Sequence, residues 1–86
     1  MIDREYKVNR YISVFDKFDE SLVGKIDINF FCIEQFREWF GFDVKDPLIG
    51  SIEVTLKDLE FISKYIEDSS VFAFDKHEYF LEARAL

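Results

Sequence analysis

Two spacings of apolar residues succeed one another along this chain, and they limit its fold more tightly than any other feature. In YKVNRYISVF, residues 6–15, Val8, Ile12 and Val14 share one side of a two-residue repeat while Lys7, Asn9, Tyr11, Ser13 and Phe15 share the other. That is the period of a strand, whose successive side chains face opposite ways. LVGKIDI, residues 22–28, places Leu22, Gly24, Ile26 and Ile28 on a common face, and the turn-forming DKFDES between the two runs makes them a hairpin. In IEQFREWFG, residues 33–41, the spacing lengthens: Ile33, Phe36 and Phe40 recur at three and four, and Gly41 stands where a helix would end. The FDVKDPLIG that follows holds Pro47 and Gly50 and reads as a loop anchored by Phe42 or Leu48.

The second half repeats the alternation in reverse. Ile52 and Val54 form a brief extended segment, and Thr55 with Asp58 resembles a capping box. Leu59, Ile62 and Ile66, joined by Leu56, trace the buried stripe of a second helix that Phe61 and Tyr65 pad from the side. VFAFDKHEYFLEARAL then predicts a closing hairpin with strands at 71–75 and 79–85. The expected fold is α+β: a four-stranded antiparallel sheet built from two terminal hairpins, with two short helices between them covering one face. Residues 6–86 form the domain and residues 1–5 an N-terminal extension.

An 86-residue chain has a thin core, yet it carries eleven Phe, more rings than one layer of sheet and helix needs, so some are available to a partner. The formal charge of −7 repels phosphate backbones and attracts cationic proteins, which disfavours direct nucleic-acid binding. No segment approaches the length of a membrane span, and MIDREYKVNR does not resemble a secretion signal, so the cytoplasm is the expected compartment. Cys32 has no partner cysteine and sits in an apolar run, where a buried thiol is the ordinary reading.

Candidate chemistry is sparse. FDKHEYF, residues 74–80, brings Asp75, His77 and Glu78 together, but the three side chains would have to converge, and the tip of a tight turn points them into solvent. One histidine and one cysteine are a poor supply of metal ligands, and the isolated Gly24, Gly41 and Gly50 make no phosphate-binding loop. The expectation is a protein that is not an enzyme and needs no cofactor or metal. What remains is the sheet face opposite the helices. Tyr11, Ser13 and Phe15 on the first strand, Phe72 and Phe74 on the third, and Phe80 and Glu82 on the last mix rings with charge. Rings supply desolvated anchors and carboxylates steer a basic protein, so this face is the candidate binding surface. An ordinary half-exposed sheet is the alternative.

Order and spacing then add a resemblance. VFDKFDESLVGK (residues 14–25), REWFGFDVKDPLIGSIEV (37–54) and DKHEYFLEA (75–83) resemble the first hairpin, the helix with its Lys-Asp loop, and the last hairpin of the immunity proteins that protect bacteria from ribonuclease colicins of the E3 and cloacin type. The resemblance implies a cytoplasmic immunity protein that binds the basic domain of a toxin cleaving 16S ribosomal RNA, leaves the cell in complex with it, and uses negative charge to exclude RNA. It places Phe15, Ser51 and Phe80 in the recognition face with Asp16 nearby, and leaves self-association of the free protein open. The chain departs from the family at its start, MIDREY, and at its finish, where the family's acidic, aromatic end is replaced by EARAL and Arg84 introduces positive charge. Those departures bear on which toxin is bound. An immunity protein of a contact-dependent toxin system and an acidic regulatory or structural binding module are the alternatives.

Overall fold

The computed structural model describes all 86 residues. Two long strands form its spine. β2 (Val8–Asp16) and β5 (His77–Ala85) pair antiparallel over their whole length, from Val8 opposite Ala85 to Asp16 opposite His77. The far edge of β2 is shared by β1 (Ile2–Asp3) and β3 (Leu22–Asp27), and the far edge of β5 carries β4 (Ile52–Val54). The fold is α+β, as the spacing predicts, with five strands where four were expected.

The first hairpin forms as read, with a bulge between Val14 and Phe15. The second does not, because both edges of β5 are already occupied by β2 and β4 and no ladder remains for residues 71–75. Instead the Asp68 carboxylate accepts from the Ser70 amide and hydroxyl and starts a 3-10 turn over Ser69–Val71. Phe72 and Phe74 stack at 5.4 Å and meet the Tyr79 ring edge-on, while the Ala73 amide donates to the Tyr79 hydroxyl at 2.7 Å. The N-terminal extension, residues 1–5, supplies β1 and is tied to β2. The terminal ammonium donates to Asn9 Oδ1 and the Arg10 carbonyl, and Asp3 pairs with Arg10.

α1 (Ile33–Phe40) ends where Gly41 takes a left-handed φ of 76°, a conformation open to a residue without Cβ. α2 is only Leu59–Ile62, flanked by 3-10 turns at Leu56–Asp58 and Ser63–Tyr65. A 3-10 turn has three residues per turn, not 3.6, and this shifts the phase of the buried stripe. Leu56, expected to join the stripe, is exposed, whereas Phe61 and Tyr65, expected at its flank, are buried. Both rings close around Phe36, at 5.0 and 4.6 Å. The Thr55–Asp58 capping box forms, and the Asp58 carboxylate also takes a hydrogen bond from Trp39 Nε1 at 2.9 Å, tying the box to α1. Leu48, not the half-exposed Phe42, anchors the 42–50 loop.

The core lies on one side of the sheet. Ile12, Leu81, Tyr79 and Val54 from the strands meet Phe36, Phe61, Ile62, Tyr65 and Ile66 from the helical layer. Arg10 belongs to this same side of β2 and is fully buried. Its guanidinium donates to Asp3 Oδ2 and to the carbonyls of Leu48 and Pro47 at 2.8–2.9 Å, and lies 4.4 Å from the Phe31 ring centre. Each of its three nitrogens donates, so the cation staples the N-terminal segment and the Pro47 loop to the sheet.

Candidate functional site: the helix-free sheet face

Strand alternation sends Asn9, Tyr11, Ser13 and Phe15 of β2 away from the core. Register places Glu82 opposite Tyr11, Phe80 opposite Ser13 and Glu78 opposite Phe15 on β5. Lys25 and Asp27 of β3 flank Ser13 and Tyr11, and Glu53 of β4 flanks Phe80. No helix lies over this side, because the helical layer packs on the residues of opposite parity. Tyr11, Ser13, Phe15, Phe80 and Glu82 are thus brought onto one surface as expected, and Ser51, one residue before β4, joins them through Glu82.

The polar centre of the face is Glu82. Ser13 Oγ donates to its Oε1 at 2.8 Å and Ser51 Oγ to its Oε2 at 2.6 Å, so hydroxyls from β2 and from the approach to β4 hold the carboxylate from two sides. Beside it the Phe15 and Phe80 rings meet edge-to-face with centroids 5.7 Å apart. A shallow depression of about 280 Å³ is lined by Tyr11, Ser13, Phe15, Leu22, Lys25, Glu82 and Arg84. Asp27, Glu53, Glu78 and Glu82 outnumber Lys25 and Arg84 on the face. The only ion pair within 4 Å in the molecule is Arg10–Asp3, on the other side of the sheet, so the carboxylates of this face are without cationic partners.

Three expected site residues stand apart. Phe72 and Phe74 belong to no strand and pack against the core through Tyr79. Asp16 closes the β2–β3 turn: its Oδ1 accepts from the amides of Phe18 and Asp19 at 2.8 and 3.1 Å. Tyr11 lies on the face but is only 5% exposed, with the Lys25 ammonium 4.6 Å from its ring centre, so it forms part of the floor. Ser13 is 4% exposed and reaches a partner only through the carboxylate it holds.

The most exposed ring lies outside the expected set. Phe18, at the β2–β3 turn, is 83% exposed and projects beside Asp16, Asp19 and Glu20. Asp19 holds the turn by accepting from the Ser21 hydroxyl and amide, and those two bonds draw its carboxyl below the usual range. The pattern FDKFDES announces the turn but not which of its two rings points outward.

The Asp75, His77, Glu78 cluster does not converge. His77 and Glu78 are neighbours on β5 and leave opposite faces of the sheet, and the imidazole is 3.5 Å from the Tyr79 hydroxyl. Asp75 is exposed in the preceding turn. Histidine, cysteine and carboxylates nowhere gather in a group of three suited to a metal. No helix is long and apolar enough to cross a membrane.

A family model described as a domain of unknown function (DUF7683) matches residues 9–82. No curated protein and no solved structure matches the chain. The matched span begins inside β2 and ends on Glu82, so it takes in the paired core of both long strands and the carboxylate at the centre of the open face.

Proposed function

The chain belongs to this family, and we propose that it is a non-catalytic immunity protein, binding a basic nuclease toxin through the helix-free sheet face and holding it inactive. The observation that carries the reading is the Phe15–Phe80 pair set beside a serine-held Glu82 on the side of the sheet that carries no helix. Rings beside fixed charge are the combination that protein interfaces use: the aromatic pair is desolvated on contact and slows dissociation, while the carboxylates speed encounter and set orientation.

The mechanism follows from charge. A net −7 on a surface with a single ion pair presents a negative field to a cationic domain evolved to grip RNA. Once docked, that field lies next to the RNA path, and the phosphate backbone is repelled as well as sterically excluded. The resemblance of the hairpin and loop segments to colicin immunity proteins supports a ribonuclease of the 16S-cleaving type as the target, with the cytoplasm of the producing cell as the place of action.

The test is to add the protein to the basic nuclease domain encoded beside its gene and follow RNA cleavage. Loss of cleavage at one inhibitor per toxin is the expected result. Undiminished cleavage at saturating inhibitor would reject the reading and leave a regulatory or structural binding module in its place.

A further inference from the structure

We propose that Glu82, with Ser13 and Ser51, forms a receptor for a guanidinium group, so that the partner presents an arginine to the centre of the open face. This deepens the proposed function by naming the chemistry of the contact, and only the source of the arginine rests on that reading.

The argument begins with the hydrogen bonds. An ionised carboxylate only accepts, so both serine hydroxyls donate, one to each oxygen. Each oxygen carries two lone-pair directions, so each keeps one free after its serine bond. The two free directions belong to a carboxylate whose rotation is already stopped from both sides. A planar fork of two parallel N–H donors fits such a group, and bidentate arginine–carboxylate pairs are among the strongest charge-assisted hydrogen bonds. A lysine ammonium, a single point charge, would use the prearranged pair of oxygens less well.

The surroundings agree. The same depression is bordered by Phe15, an aromatic ring of the kind that attracts a guanidinium. Its resident cations do not neutralise Glu82. Lys25 is turned over the Tyr11 ring, and neither it nor Arg84 lies within 4 Å of a carboxylate oxygen. Their positive charge at the rim favours an incoming arginine that has an acidic neighbour of its own, which limits the partner further.

The site can be tested without a toxin. We would titrate the ¹⁵N-labelled protein with N-acetyl-arginine-N-methylamide, with the citrulline analogue of the same shape and no charge, and with the lysine analogue. The expected result is saturable shifts at Ser13, Ser51, Phe80 and Glu82 in the millimolar range for arginine, weaker binding for lysine and none for citrulline. Glu82→Gln should weaken arginine binding at least about tenfold while the remaining amide spectrum stays in place. The double variant Ser13→Ala, Ser51→Ala should reduce the preference for arginine over lysine, because it frees the carboxylate to rotate. Absence of saturable shifts at these residues, or equal shifts with citrulline, would overturn the proposal. A protein that inhibits the nuclease yet does not bind the arginine probe would retain the function and lose this site. One that binds the probe at Glu82 and inhibits no nuclease would retain the site and lose the function.

Discussion

On the proposed reading, Phe80 is the single residue at which binding and folding can be told apart. It is half-buried on the open face, against Phe15, while Phe36 lies fully buried among four other rings. Phe80→Ala should therefore speed dissociation from the toxin about 30-fold or more, the effect of losing a hot spot worth about 2 kcal/mol. Its cost in stability should stay well short of the roughly 3–5 kcal/mol typical of a truncated core Phe, which Phe36→Ala is expected to reach. Surface plasmon resonance and urea denaturation on the two variants check both halves. Asp3 gives a prediction in pH. Partial burial raises its carboxyl, but the Arg10 hydrogen bond, the Tyr6 amide, the Arg10 charge and the Glu5 amide outweigh it, and the net displacement is downward. A lowered folded pKa contributes stability that is complete above the unfolded value of about 3.9 and is lost as pH falls through the folded one. Asp3→Asn should cost about 1.5 kcal/mol near neutrality, the loss of a hydrogen bond to a charged group. The urea midpoints of variant and parent should converge as the pH is lowered below 4.

At the scale of elements, what the sequence made legible depended on whether local pattern or long-range pairing decided the outcome. The β2–β3 hairpin, α1 and its Gly41 stop follow from apolar spacing and turn chemistry within a dozen residues, and they form as read. The supposed strand at 71–75 has the right residues, VFAFD, but a strand needs a free ladder, and β2 and β4 occupy both sides of β5. Period two alone does not reveal which edges are taken. Arg10 was hidden for a related reason: on alternation it falls on the apolar side of β2, and its acceptors at Pro47 and Leu48 lie far off in the chain. The open face was legible because parity along β2 and β5 fixes it. Ser51 was placed there only by resemblance, and its bond to Glu82 follows from the β4–β5 register. The helix stop itself can be measured. Nothing lies within 4 Å of where a Cβ on Gly41 would be, so Gly41→Ala should cost only the strain of the left-handed backbone, about 1–2 kcal/mol, read as a lowered Tm with an unchanged inhibition curve.

On the scale of the whole molecule, a thin sheet with its helical layer on one side has two unlike surfaces, and the proposed function uses the one without helices. The other is not inert, since Trp39 and Val44 on the helical side are exposed. Net negative charge adds a property that belongs to neither surface alone: association should slow steeply with added salt while dissociation changes little, as steering requires. Stopped-flow rates at low and physiological ionic strength check this, and a rate indifferent to salt would remove the electrostatic part of the mechanism. The central claim is one of place, and carboxyl footprinting reads it directly. Carbodiimide labelling of the protein, free and bound to the nuclease domain, should lose reactivity at Asp27, Glu53, Glu78 and Glu82 and keep it at Glu34, Glu38 and Glu60 on the helical side. Protection of the second group with continued labelling of the first would contradict the account.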